Sequence, residues 1–332
     1  MSHLLLIGAG FSRNWGGWLA TEAFEYLLGC QEVMQSTQLQ RLLWRNQTQG
    51  GFESALAELQ QNYVLNPQEN LAALLDLNAA VERMFRDMNR GLLRATLNFA
   101  NDKAKSIGAF LARFDAIFTL NQDVLLEQHY MTPPNNVNLL SERQPRWHGA
   151  YFPGMSRVRP TDPAILDSWS QSIWQPKGQA DFTLEAQSQP VFKLHGSSNW
   201  RNPDGRSMLI MGGAKVREIN LTPILSWYAT KFDELLQEPG AKLMVIGYGF
   251  RDGHINDEIK HAVERGLKLF IIAPEGAELA QRLNPTNAAP IRVKSELEDI
   301  MERSLIGASR RPLSSTFGND NAEFDKVIRF FA

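Results

Sequence analysis

His3-Leu4-Leu5-Leu6-Ile7-Gly8-Ala9-Gly10-Phe11-Ser12-Arg13 is a short apolar run that stops on two glycines. Such a run reads as a parallel strand buried on both faces, turning at once into a helix. Glycines at that turn let the backbone approach a diphosphate, and the following helix offers free amides and the positive end of its dipole. Ser12 and Arg13 add capacity to bind phosphate. The third glycine of the dinucleotide fingerprint would fall at Arg13, where it is absent. Taken alone, the loop reads equally as a tight strand-to-helix turn.

The same pattern recurs along the chain. Residues Ala116 to Leu120 form an apolar run ending at Asn121-Gln122-Asp123. Val191 to Leu194 ends at His195-Gly196, Lys242 to Ile246 at Gly247-Tyr248-Gly249-Phe250, and Leu267 to Ala273 at Pro274-Glu275. Met208 to Met211 is a further short strand candidate, and Asp257 to Gly266 reads as a helix. In open parallel sheets, ligands bind beyond the carboxyl ends of the strands, which is where these small and polar residues fall. The prediction is an α/β fold, a Rossmann-like doubly wound parallel sheet.

One domain over 1–332 is expected. Its core comes from 1–37, 115–130 and 191–310. Residues 38–114 are rich in helix formers, with apolar residues at helical spacing such as Leu71, Leu74 and Leu75, and are expected as a helical subdomain. Residues 131–190 are rich in Pro, Gly, Trp and Ser and read as an irregular insertion with at most short elements. Residues 311–332 form a terminal segment whose apolar end, Val327 to Phe331, is expected to dock on the body or on a partner.

Composition narrows the function. The chain has 332 residues, 43% of them apolar, and a formal charge of −2. That supports a buried core and argues against disorder and against a basic duplex-binding surface, so no direct nucleic-acid binding is expected. Cys30 is the single cysteine, which excludes an internal disulfide and fits a reducing compartment. No apolar run nears the roughly 18 residues of a membrane span, and the start reads as a strand rather than a signal peptide. A cytoplasmic protein without membrane contact is expected. The six histidines show no pair at metal-ligand spacing, so no metal is expected.

Three positions carry candidate chemistry. The Asn121 amide can hold a water or a ribose hydroxyl, and Asp123 can accept from a carboxamide; both residues also make good helix N-caps. His195, at a strand end before glycine, suits a general base; the alternative is a hydrogen-bonded structural histidine. His148-Gly149 repeats the dipeptide without a preceding strand pattern. His254, in Phe250-Arg251-Asp252-Gly253-His254-Ile255-Asn256, is a second rival.

In this order the motifs resemble the sirtuin superfamily. Gly8-Ala9-Gly10-Phe11-Ser12 is similar to its cofactor loop, Thr119-x-Asn121-x-Asp123 to its Thr-x-Asn-x-Asp segment, and His195-Gly196 to its catalytic His-Gly. Gly247-Tyr248-Gly249-Phe250 sits where the family has a loop under the adenosine half of NAD. The resemblance implies Asn121 and His195 as catalytic residues. It implies Gly8, Ala9, Gly10, Phe11, Ser12, Arg13, Asp123, Gly247, Tyr248, Gly249 and Phe250 as contacts to NAD+. With one cysteine, the two cysteine pairs of the deacylase zinc module cannot exist, and 131–190 stands in its place. Ala273 lies about where deacylases often have an adenosine-contacting Asn. The variants present here look like the zinc-free, sirtuin-like branch of bacterial antiphage defence. That likeness implies an NAD+ hydrolase that depletes NAD+, as a homo-oligomer or with a DNA-translocase-type (HerA-like) ATPase. A sirtuin-type deacylase or ADP-ribosyltransferase, and a non-enzymatic nucleotide-binding scaffold, are the alternatives.

Overall fold

Eleven strands are formed among the described residues: β1 (His3–Ile7), β2 (Ala116–Thr119), β3 (Ala150–Tyr151), β4 (Met155–Val158), β5 (Ile173–Pro176), β6 (Gln189–Lys193), β7 (Gly196–Arg201), β8 (Ser207–Leu209), β9 (Lys242–Ile246), β10 (Lys268–Ile272) and β11 (Leu305–Ser309). The structure, a computed structural model, describes residues 2–48, 50–131, 146–158, 173–213, 215–282 and 294–332. Seven strands make one sheet in the order β11-β10-β9-β1-β2-β6-β3, and every neighbouring pair is parallel.

The apolar runs explain why. Leu4, Leu5, Leu6 and Ile7 are fully buried, as are Val191, Phe192 and Leu243 to Val245. Strands covered on both faces need no polar alternation. Phe118 and Phe192 stack at 4.9 Å and meet Phe232 and Tyr228 of the helix Pro223–Leu236. The chain starts at the centre of the sheet, builds outward through β2 and β6, then returns to the other side of β1 with β9, β10 and β11. The sequence order therefore reverses at β1, the switch point at which such sheets open a crevice.

Register sets that crevice. Ile7 pairs with Thr119 and with Ile246, Thr119 with Lys193, and Ile246 with Ile272. The strands end level with one another, so the segments that follow them emerge along one edge.

Three features were not anticipated. Strand β11 was not read, nor were the helices Lys215–Leu221 and Pro223–Leu236. A second sheet, β4-β5-β7-β8, assembles the short strands of the irregular stretch with those after His195. The helices within 38–114 are present, the longest being Pro67–Leu93 with proline in its first turn, where a missing N–H costs nothing. Its buried stripe, however, is Ala73, Leu77, Ala80, Met84 and Met88, whereas Leu71 and Leu75 are 45% and 58% exposed. Of the three leucines read at helical spacing, Leu74 packs partly buried against the core and Leu71 and Leu75 lie outward. At the end of the chain, Phe330 and Phe331 pack on His3, Phe114 and Phe110. The terminal segment docks on the body. No helix among the described residues is long and apolar enough to cross a membrane.

Candidate functional site

The strand ends open into one cleft of about 880 Å³, within the usual range for cofactor-sized ligands. Gly8, Ala9, Gly10 and Arg13 line it after β1. Asn121, Gln122 and Asp123 line it after β2, and His195 after β6. Gly247, Tyr248, Gly249 and Asp252 follow β9, and Ala273 to Glu275 follow β10. Arg310 to Ser314 close the far end. The cleft also takes Glu53 from the helix Phe52–Leu65 and Lys215, so the helical segment forms one wall.

The glycines of the first loop serve contact with β9 as well as any ligand. A Cβ at Gly8 would lie 2.6 Å from Gly247 O, and one at Gly10 would lie 2.8 Å from Gly247 Cα. Gly247 itself has φ +66, and its Cβ would lie 2.3 Å from Phe11 N. The two loops touch backbone to backbone, held by Gly8 N–H donating to Ile246 O and Gly10 N–H to Gly247 O, both at 2.9 Å. Asn14, which sequence reading missed, donates from Nδ2 to Gly10 O and Phe11 O, and its Oδ1 accepts from Leu313 N–H.

Not every predicted contact faces the cleft. Phe11 is fully buried against Trp15, and Phe250 is 2% exposed. Neither lines the cleft. Ser12, also absent from its lining, is buried and accepts a hydrogen bond from Asn121 Nδ2 at 2.9 Å. Arg13 pairs with Glu22 at 2.8 Å.

Asn121 and Asp123 sit at the end of β2. The Asn121 N–H donates to Thr119 Oγ1, which turns the chain out of the strand. Asp123 Oδ1 accepts from Leu125 N–H at 3.0 Å, closing the turn that leads into the helix Leu125–His129, whose N-cap is Val124 and not Asn121 or Asp123. Beneath it, Lys193 Nζ contacts Asp123 O, Glu127 Oε1 and Ser197 Oγ, and Lys193 is 2% exposed. This buried pair anchors the segment from the core side. Burial raises the Glu127 carboxyl, against the lowering effect of Lys193.

His195 stands between β6 and β7 and is 3% exposed. Its carbonyl accepts from Gln122 Nε2 and Ile210 N–H, both at 3.1 Å. Gly196 follows with φ +71, and a Cβ there would lie 1.8 Å from Met208 O. The glycine of the His-Gly dipeptide is thus required by the backbone. His148 donates its N–H to Gln187 O and does not line the cleft.

The loop after β9 brings a group that sequence spacing did not show. Phe250 has φ +52, uncommon for a residue with a side chain. Tyr248 OH and Asn256 tie the loop together through Asp252 and Phe250 backbone groups. Asp252 and His254 then project at His195. His195 Nε2 lies 3.3 Å from His254 Nε2 and 3.6 Å from Asp252 Oδ2. His254 Nδ1 lies 3.1 Å from Asp252 Oδ1. Lys215 Nζ is 3.2 Å from Asp252 Oδ2 and 2.7 Å from Glu53 Oε2. His254, read as a rival to His195, is its neighbour. Asp252 could have been flagged from its place in the loop motif; Lys215 carried no local signal.

Ligand atoms of His195, Asp252 and His254 lie within 4.8 Å of one another, a proximity invisible in the scattered sequence positions. An ion there would compete with the Lys215 ammonium for Asp252 Oδ2. Burial works against the charge on Lys215, but Glu53 and Asp252 outweigh it and hold its pKa up. The cluster is therefore better suited to hydrogen bonding than to a cation. Burial also works to raise the Asp252 carboxyl. The His254 hydrogen bond and the surrounding positive groups outweigh it and hold it well below the usual range.

Burial, reinforced by the Lys215 charge, pushes the His195 imidazole down from 6.5 to about 3. It is neutral around pH 7. The unfolded chain takes up this proton near its ordinary pKa while the folded chain does not, so the stability is present above that value and lost as pH falls toward the folded one. From about pH 7 to about pH 5 the loss is about 2 kcal/mol. Urea unfolding at the two pH values should show wild type losing that much more than His195→Gln, since groups common to both cancel. Equal losses would contradict the buried, neutral histidine.

A family model described as a SIR2-like domain matches residues 115–293, more than half of the chain. The chain belongs to the SIR2-like family. The match spans the Asn121, Asp123, His195 and Asp252 segments of the SIR2-like cleft. Among solved structures, a Sir2 homologue in complex with NAD is 12% identical, covering 99% of this chain and 90% of that one with a TM-score of 0.36. A Sir2 homologue mutant in complex with ADP-ribose is 13% identical, covering 98% and 93% with a TM-score of 0.34. No curated protein matches the chain. The fold assignment rests on the strand order of the SIR2-like chain itself.

Proposed function

We propose that this SIR2-like protein hydrolyses NAD+ to nicotinamide and ADP-ribose. The observation that carries the reading is that Asn121, Asp123 and His195 line one cleft with the two glycine loops, Gly8–Gly10 and Gly247–Gly249. The glycine loops hold the diphosphate, so binding of the remote adenosine half positions the nicotinamide ribose. Asp123 Oδ1 is taken by the Leu125 N–H of its own turn, and Oδ2 serves the carboxamide. The N-glycosidic bond breaks with its electron pair leaving on nicotinamide. Water, positioned by Asn121, attacks the anomeric carbon, and neutral His195 takes the proton from that water or from a ribose hydroxyl.

The wider reading follows from the likeness to the zinc-free antiphage branch and from the single Cys30. NAD+ depletion would serve defence, with activity held low until the chain assembles with itself or with a DNA-translocase-type ATPase. The control element in this reading is the 131–190 stretch, with Trp147 and Trp174 as interface anchors; its Trp169, Arg143 and Arg159 lie outside the described residues.

The test is product analysis after incubation with NAD+, with and without an acyl-lysine peptide, over a range of protein concentrations. Nicotinamide and ADP-ribose in equal amounts, unaffected by peptide, are expected, with activity per molecule rising with concentration. Peptide-dependent nicotinamide release would replace hydrolysis with deacylation, and constant activity per molecule would remove the role of assembly. Asn121→Ala should lower turnover on the order of 10²-fold, the usual cost of a misplaced reactant. Normal turnover per folded molecule with a lowered Tm would make Asn121 structural only.

A further inference from the structure

We propose that Asp252, His254 and His195 form a carboxylate–imidazole–imidazole relay in which His254 is a positioning residue that sets which nitrogen of His195 is the base. The inference rests on the reading of His195 as the base in NAD+ cleavage.

The donor pattern leads to it step by step. An ionised carboxylate only accepts, so His254 carries its proton on Nδ1, 3.1 Å from Asp252 Oδ1. In the resting relay that is its one proton, and His254 Nε2 carries a lone pair. His195 Nε2 is 3.3 Å away and must therefore donate. His195 then has its lone pair on Nδ1, and that atom is the base. Asp252 is held in place from the other side by Lys215, which is itself paired with Glu53. When His195 accepts a proton at Nδ1, its Nε2 proton is free to move to His254 Nε2. The positive charge then forms against the Asp252 carboxylate instead of on the fully enclosed ring. Partners of this kind orient a working histidine and fix its tautomer.

Asp252→Asn discriminates, because an asparagine amide can donate to His254 Nδ1. That reverses His254, puts a proton on its Nε2 and forces His195 to the opposite tautomer. The experiment is ¹⁵N-histidine NMR on the full chain, with the His195 signals assigned by their loss in His195→Gln. His195 protonated on Nε2 in the wild type, and on Nδ1 in Asp252→Asn, is expected. For His254→Ala, kcat should fall by about 10- to 100-fold with KM little changed. His254→Gln, whose amide can bridge Asp252 and His195, should recover part of that loss. A wild-type His195 protonated on Nδ1, a tautomer unmoved by Asp252→Asn, or an unimpaired His254→Ala enzyme would overturn the relay. If the wild type released no nicotinamide, NAD+ cleavage would fail, while the tautomers would still decide the relay.

Discussion

His195→Ala should lose NAD+ cleavage by about 10²- to 10⁴-fold, the usual cost of removing a general base, with the fold intact. The backbone at this position is held by groups the substitution leaves in place. The His195 carbonyl keeps its bonds from Gln122 and Ile210, and Gly196 keeps its turn. Nicotinamide release and Tm measured on the same sample separate chemistry from folding. His148→Ala is the control, since His148 lies outside the cleft lining. A dead His148 variant beside an active His195 variant would reverse the assignment.

Gly247→Ala should both destabilise the protein and remove NAD+ binding. At φ +66 the new side chain would meet Phe11 N at 2.3 Å and Gly10 C at 2.4 Å. The left-handed backbone alone costs about 1 kcal/mol or more for a residue with a Cβ. The overlap is with backbone, which cannot rotate aside, so the loops after β1 and β9 must part, for a total of roughly 3 kcal/mol or more. The expected result is a lowered Tm and no upward shift on adding NAD+. Gly253→Ala is the matched control, because nothing lies within 4 Å of its added Cβ. Unchanged Tm and unchanged NAD+ response in Gly247→Ala would show that the two loops are not packed as described.

The strands that were legible in the sequence are those buried on both faces. After their first residues, His3 and Lys242, β1 and β9 are unbroken apolar runs because every following position is buried. β11 was missed because Leu305–Ser309 carries Gly307 and Ser309 and is mostly half-exposed at the sheet edge. Of the small sheet only β8 was read, as Met208 to Met211; β4, β5 and β7 were missed because short strands with polar residues carry no signature of their own. The site was legible to the extent that it hangs from strand ends. Side-chain direction was not: Phe11 and Phe250 belong to loops that line the cleft, yet are themselves buried and absent from its lining. Lys215 was illegible for a different reason. It reaches Asp252 and Glu53 from a helix outside the strand pattern, and only tertiary packing brings the three together.

The most direct measurement is free nicotinamide released by the purified full chain, present in excess over NAD+, with His195→Ala in parallel. A single turnover needs no activated assembly, only time. The expected result is nicotinamide equal to the NAD+ consumed, with ADP-ribose alongside, and a release rate at least about 10²-fold lower from the variant. NAD+ recovered intact from the wild type after prolonged incubation, or nicotinamide released at equal rates by both proteins, would contradict cleavage at His195.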